Sequence, residues 1–132
     1  MVSCFENCIS LTDTSGLTIC TDASDGTDMT DCFKGCSELT NIPSEMLDEN
    51  GAIKMGYVTD MTSCFEGCTG LSGKTFYFND GPTVASKWTD AFKGLTGVTV
   101  QIWNNCSLKA AIEEGNPNVT VEFRRDPPPT CE

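Results

Sequence analysis

Short runs of alternating apolar and polar residues occur along the chain, separated by segments rich in glycine, aspartate and threonine. β-Branched and aromatic residues fill these runs, and a period of two with that composition predicts β-strands. The predicted strands are residues 17–20, 39–42, 75–78, 98–103 and 119–123. A different spacing, three and four residues between Leu108, Ala111 and Ile112, predicts an amphipathic helix at residues 107–114. We expect Ser107 to cap this helix and Gly115 to end it.

A short phrase of the form Cys-Phe-x-x-Cys recurs between the strands. It occupies residues 4–8, 32–36 and 64–68, and a fourth copy at residues 91–95 has Ala and Leu in place of the two cysteines. The copies begin 28, 32 and 27 residues apart. Asp or Thr precedes each of the middle copies as a helix N-cap would, and a glycine follows the phenylalanine by two positions in copies two to four. The phrase therefore predicts a short helical turn.

Self-similarity at such a period is typical of stacked repeats. We therefore predict an α/β repeat solenoid, with one short strand and one short helical turn in each repeat and a C-terminal helix-strand cap. The predicted domain is residues 1–123, with repeats near 1–20, 27–43, 58–78 and 87–103, a cap at 104–123 and a proline-rich tail at 124–132. Residues 44–57 form a long variable loop in this scheme, and we expect its deletion to weaken binding while the fold survives.

The fourth copy of the phrase indicates what the cysteine positions do. Because Ala91 and Leu95 replace the two cysteines there, those positions suit apolar side chains, and a free cysteine behaves as a small hydrophobe. Trp88 likewise stands in the position of Met29 and Met61. The predicted structural core consists of Cys4, Phe5, Cys8, Cys32, Phe33, Cys36, Cys64, Phe65, Cys68 and Phe92.

Nine cysteines raise the question of redox state. Two cysteines four residues apart on one helical turn point in the same direction, which is poor geometry for a disulfide between them. We expect buried, reduced thiols arranged in columns. Disulfides between neighbouring repeats, or disulfides that involve Cys20, Cys106 and Cys131, are the alternative. A cysteine-only zinc site is the third arrangement, although the Cys-x-x-x-Cys spacing differs from the usual zinc knuckle.

One stretch of the chain resembles a known family. Residues 58–71 read Val-Thr-Asp-Met-Thr-Ser-Cys-Phe-Glu-Gly-Cys-Thr-Gly-Leu, and residues 28–39 follow the same pattern. This pattern resembles the BspA-like leucine-rich repeat, a family of bacterial and protist surface proteins that also occurs in some phage proteins. The resemblance covers roughly residues 1–103. It implies a leucine-rich-repeat-like solenoid used for adhesion or partner binding, and it brings no catalytic residues.

The charge and the missing residue types exclude several functions. The net charge of −11 disfavours contact with nucleic acid phosphates and with anionic membranes, and it favours a basic partner. The chain has no run of 18 apolar residues and no signal peptide pattern. It has no histidine, no phosphate-binding glycine loop and no dinucleotide fingerprint. We therefore expect a non-enzymatic protein without a metal or cofactor.

Exposed aromatic residues are the best candidates for a binding face, because aromatic side chains anchor both protein and sugar contacts. The candidate binding residues are Tyr77, Gln101 and Trp103, since strand alternation places Tyr77 opposite to Phe76 and Phe78. The predicted function is a protein- or glycan-binding adhesion module displayed outside a cell, on a cell surface or on a virion, where it could form part of a larger assembly. A structural virion component, such as a phage decoration or fibre protein, is the alternative. A carbohydrate-active enzyme is a third and weaker one.

Overall fold

The computed structural model describes residues 27–40 and 47–131. One parallel sheet runs through them, and each strand lies beside its neighbour in the chain, in the order β1-β2-β3-β4-β5. The strands are β1 (Thr27–Asp28), β2 (Ile53–Asp60), β3 (Thr75–Asp80), β4 (Thr99–Ile102) and β5 (Thr120–Phe123). The single α-helix of the described residues, α1 (Cys106–Gly115), connects β4 to β5. Two 3-10 helices, Thr69–Leu71 and Ala85–Lys87, precede β3 and follow it.

The predicted repeat solenoid is wrong. The described chain forms one small parallel sheet with one α-helix, and it does not provide one strand and one helical turn per repeat. The recurring phrase forms hydrogen-bonded turns instead of helices. The run predicted at residues 39–42 is not a strand at Leu39 and Thr40, and its other half lies outside the described residues, as does the run at 17–20.

The longest strand, β2, begins inside the segment predicted to be a loop, residues 44–57, and takes up its last five residues. Ile53, Met55 and Val58 of this strand are buried in the core. Its register against β3 shifts on both sides of Gly56, which has a φ of 63°. This irregularity breaks the period of two that identifies a strand from sequence. Deletion of residues 44–57 would remove most of β2, so the fold would not survive it, contrary to the expectation from sequence.

Three copies of the recurring phrase stack as turns beneath the sheet. The N–H of Phe33 donates to the carbonyl of Cys64 at 2.9 Å, and the N–H of Phe65 donates to the carbonyl of Ala91 at 2.9 Å. Gly67 and Gly94 have φ values of 79° and 90°, a conformation that residues with a side chain rarely adopt. The glycine spacing thus reflects a backbone requirement of the turn.

The core lies between the sheet and these turns. The ring of Phe65 stacks on Phe33 with centroids 5.5 Å apart and on Phe92 with centroids 5.9 Å apart. Phe76 of β3 contacts Phe65 and Phe92, each at 5.1 Å. The cysteines of the second and third copies are fully buried in the same layer: Cys32, Cys36, Cys64 and Cys68. The predicted core residues Cys4, Phe5 and Cys8 lie outside the described residues.

The C-terminal end of the core is closed by α1 and the loop that follows it. Leu108, Ala111 and Ile112 are buried, in agreement with the predicted apolar stripe. The N-cap is Asn105, whose side chain accepts the N–H of Leu108, and not Ser107 as predicted. Asn116 is buried, and its side chain accepts the N–H of Phe92 at 3.0 Å and donates to the carbonyl of Trp88 at 2.7 Å.

Candidate functional site

The side of the sheet that faces away from the turns carries a row of polar residues. Lys54 pairs with Tyr77, Tyr77 with Gln101, and Gln101 with Glu122, each on a neighbouring strand. The residues flanking them in β3 and β4, such as Phe76 and Val100, are buried, because side chains alternate between the two faces of a strand. We call this side of strands β2 to β5 the outer face.

Arg124, which directly follows β5, joins several outer-face residues. Its Nε donates to Oε1 of Gln101 at 2.8 Å, and its guanidinium carbon lies 3.9 Å from the centroid of the Tyr77 ring. The same guanidinium forms an ion pair with Asp48, in the loop before β2. Gln101 in turn donates to Glu122 at 3.5 Å. These contacts fix the side chains of Tyr77 and Gln101 on the outer face.

The carboxyl group of Asp48 is held in its ionised form by this arrangement. Its partial burial opposes ionisation. The hydrogen bond from Arg124 and those from the backbone N–H groups of Ala52 and Asn50 outweigh that effect and lower the pKa of Asp48. The Arg124–Asp48 pair therefore stays charged at neutral pH and attaches the segment after β5 to the loop before β2.

Trp103 is the exposed aromatic residue of this region. It follows β4 by one residue and Gln101 by two, and 52% of its surface is accessible to solvent. Its carbonyl accepts the N–H of Arg125 at 3.1 Å, which extends the pairing of β4 and β5 beyond the strands. Three positions further on, Cys106 forms a disulfide with Cys131. We call residues 103–106 and 125–131, joined by that hydrogen bond and that disulfide, the Trp103 clasp.

The structure thus brings the three predicted binding residues to one region, but two of their side chains are already engaged and the third is accessible. Tyr77 and Gln101 are neighbours in register, and their side chains are already engaged by Arg124. Trp103 remains largely accessible. Arg124 and Asp48 were missed from sequence. Arg124 continues the alternation of Thr120 and Glu122, whereas Asp48 is 76 residues away in the chain and carries no local signal.

The buried thiols of Cys64 and Cys68 are unreactive at neutral pH. The thiol of Cys68 donates to the carbonyl of Phe33 at 2.9 Å. Burial raises the pKa of Cys68 to about 12 and raises the pKa of Cys64 well above its ordinary value, since a thiolate is poorly solvated there. Neither is a nucleophile at neutral pH. The Cys106–Cys131 disulfide joins two of the three cysteines outside the recurring phrase, which is one of the pairings left open from sequence.

A cavity lies at the end of the stacked turns. This cavity of about 330 Å³ is lined by residues that include Asp90, Lys93, Gly94 and Pro117. The side-chain amide of Asn118 at its edge already donates to the carbonyls of Phe92 and Leu95, both at 3.0 Å. The side-chain amides of Asn116 and Asn118 at this cavity therefore stabilise the fold through hydrogen bonds to the backbone.

Among residues 27–40 and 47–131 no group of three or more cysteine, aspartate or glutamate side chains is arranged to hold a metal ion. Over the same ranges, no helix has both the length and the apolar character needed to cross a membrane.

Comparisons of the chain with protein-family models, with curated proteins and with solved structures find no match. The resemblance to the BspA-like leucine-rich repeat therefore remains a prediction from the recurring phrase.

Proposed function

We propose that the chain is a non-enzymatic binding module that contacts a protein or glycan partner at the outer face, with Trp103 as the anchor. The observation that carries this proposal is the exposure of Trp103, 52%, on a backbone fixed by a hydrogen bond and a nearby disulfide. Large aromatic side chains that are exposed and well positioned contribute strongly to recognition, because they bury much surface at little entropic cost.

The surroundings of Trp103 support a binding surface over a catalytic one. The groups beside it are polar and charged residues paired with each other, such as Arg124 with Asp48 and Gln101 with Glu122. The thiols of Cys64 and Cys68 are buried and protonated, and the chain has no histidine to act as a general base. A sheet face of this kind presents a broad contact area and does not enclose a substrate.

The disulfide supports a location for the protein, and the net charge supports a type of partner. A disulfide at the exposed Cys131 is typical of proteins that work outside the reducing cytoplasm, which supports display on a cell or virion surface. The net charge of −11 supports association with a basic protein, and such association weakens as salt screens the attraction.

The proposal is tested by retention on an immobilised panel of neutral polysaccharides, acidic polysaccharides, basic proteins and acidic proteins. We expect the wild-type chain to be retained by at least one member and Trp103→Ala to lose that retention. Val84→Ala is the matched control, since Val84 is 57% exposed and lies on the loop after β3. Equal retention of wild type and Trp103→Ala contradicts the proposed surface. Release of cleaved sugar from a polysaccharide contradicts the non-enzymatic assignment.

A further inference from the structure

We propose that the Trp103 clasp is a subsite for one pyranose ring of a neutral glycan. This inference rests on the proposed function and specifies its partner. The indole of Trp103 provides a flat apolar surface for the C–H groups of a sugar ring. The polar residues of the clasp provide hydrogen-bond partners for the hydroxyl groups that project from the ring edge.

Exposed polar residues adjoin Trp103 in the chain and across the backbone hydrogen bond of the clasp. Asn104, Arg125 and Asp126 are exposed and adjoin the Trp103–Arg125 hydrogen bond in sequence. They supply an amide, a guanidinium and a carboxylate, which between them can donate to and accept from hydroxyl groups. Arg125 is distinct from Arg124, whose guanidinium is already used by Asp48, Gln101 and Tyr77.

The ends of the short segment after Trp103 are fixed. The Asn105 side chain accepts the N–H of Leu108 as the N-cap of α1, and Cys106 is held by its disulfide to Cys131. Only Asn104 separates Trp103 from these two anchors. Because little conformational freedom remains to be lost on binding, such a preorganised site binds a ligand more tightly than a mobile loop with the same residues.

The size and charge of the site favour a neutral glycan over the other partners. A stable protein interface usually buries about 1,200–2,000 Å² around several anchors, whereas the described surface offers one large exposed aromatic side chain here. Glycans that carry carboxylate or sulfate groups are disfavoured by the net charge of −11. A neutral sugar needs only a small contact area, and the negative charge does not repel it.

Isothermal titration with cellohexaose, chitohexaose, xylohexaose and mannohexaose tests the inference. We expect at least one of them to bind, with an affinity at least about tenfold lower for Trp103→Ala and unchanged for Val84→Ala. The fluorescence of Trp103 should shift to shorter wavelength on binding, whereas Trp88 is fully buried and should not respond. A Cys106→Ser, Cys131→Ser double variant that keeps its circular dichroism spectrum should bind several-fold more weakly, because the clasp is open.

Absence of binding by all four oligosaccharides overturns the glycan inference, and so does binding that Trp103→Ala retains in full. The proposed function is judged separately by the immobilised panel. If a basic protein on that panel retains the wild type but not Trp103→Ala, the binding module stands and its partner is a protein. If no member of the panel depends on Trp103, both proposals fail.

Discussion

Phe65 contacts three other aromatic rings at the centre of the core, and its burial illustrates how single residues stabilise this chain. We expect Phe65→Ala to lower the free energy of unfolding by about 3–5 kcal/mol, because it leaves a cavity among rings that cannot all move together. Chemical denaturation measures this loss, with Val84→Ala as the exposed control at about 0.5 kcal/mol or less. A loss below about 1 kcal/mol for Phe65→Ala would contradict the stacked arrangement of the turns.

The buried thiols make a second prediction at the residue scale. With a pKa of about 12 for Cys68 and a strongly raised pKa for Cys64, almost no thiolate exists at pH 8. We expect iodoacetamide to leave both residues unmodified in the folded protein and to modify both in guanidinium chloride, as mass spectrometry of peptides would show. Cys131, exposed once its disulfide is reduced, is the reactive control. Modification of Cys68 in the folded chain as fast as Cys131 would show that the core is open.

Asp60 governs an acid-dependent part of the stability. Its burial opposes ionisation, but the Thr62 hydroxyl at 2.6 Å, the Thr62 N–H at 2.9 Å and Lys87 at 3.3 Å outweigh burial and lower its pKa. A lowered pKa means that this contribution is complete above the ordinary value of 3.8 and is lost as the pH falls through the folded value.

We therefore expect Thr62→Val to raise the pKa of Asp60 and to reduce the loss of stability between about pH 4 and pH 2. A ¹³C NMR titration of the carboxyl group and acid denaturation measure the two effects. Thr83→Val, at an exposed position, is the control. An unchanged pKa of Asp60 in Thr62→Val would show that the hydroxyl does not stabilise the carboxylate.

At the scale of elements, Asn116 connects the loop after α1 to the last of the stacked turns. Its side chain satisfies the N–H of Phe92 and the carbonyl of Trp88, both at a buried position. We expect Asn116→Ala to destabilise the protein by about 1–3 kcal/mol, because the buried N–H of Phe92 loses its partner, while the carbonyl of Trp88 keeps the N–H of Ala91. Asn104→Ala, at an exposed asparagine, should cost less than about 0.5 kcal/mol in the same denaturation experiment. Equal losses for the two variants would mean that the loop does not close the stack.

The sequence predicted some elements well and missed one for an identifiable reason. Strands β3, β4 and β5 and helix α1 follow their hydrophobic periods to within two residues at either end. β2 was missed because the alternation of buried and exposed positions breaks at Gly56, where Met55 and Gly56 are both buried and the register against β3 shifts. A local period cannot reveal a strand whose regularity is broken by its pairing with a neighbour.

At the scale of the whole molecule, the recurring phrase predicted turns with buried phenylalanines but not the architecture. Phe33, Phe65 and Phe92 stack as their spacing suggests, and yet the chain is a small parallel sheet with one helix. The step from turn to architecture failed because the segments between the turns differ, and one of them supplies the longest strand. Of the candidate site, the position of Tyr77 and Gln101 on one face of the sheet follows from alternation. The Arg124–Asp48 ion pair and the Trp103 clasp depend on contacts between distant segments.

The most direct measurement of the central claim, that a partner binds at Trp103 on the outer face, is a ¹H–¹⁵N NMR titration. The partner is any panel member that retains the chain, used in soluble form. We predict that the indole Nε1–H signal of Trp103 and the backbone signals of Gln101 and Arg125 shift, while the buried Trp88 indole, bonded to the carbonyl of Pro82, stays in place. Shifts confined to the cavity around Gly94, with the Trp103 signals unchanged, would contradict the account.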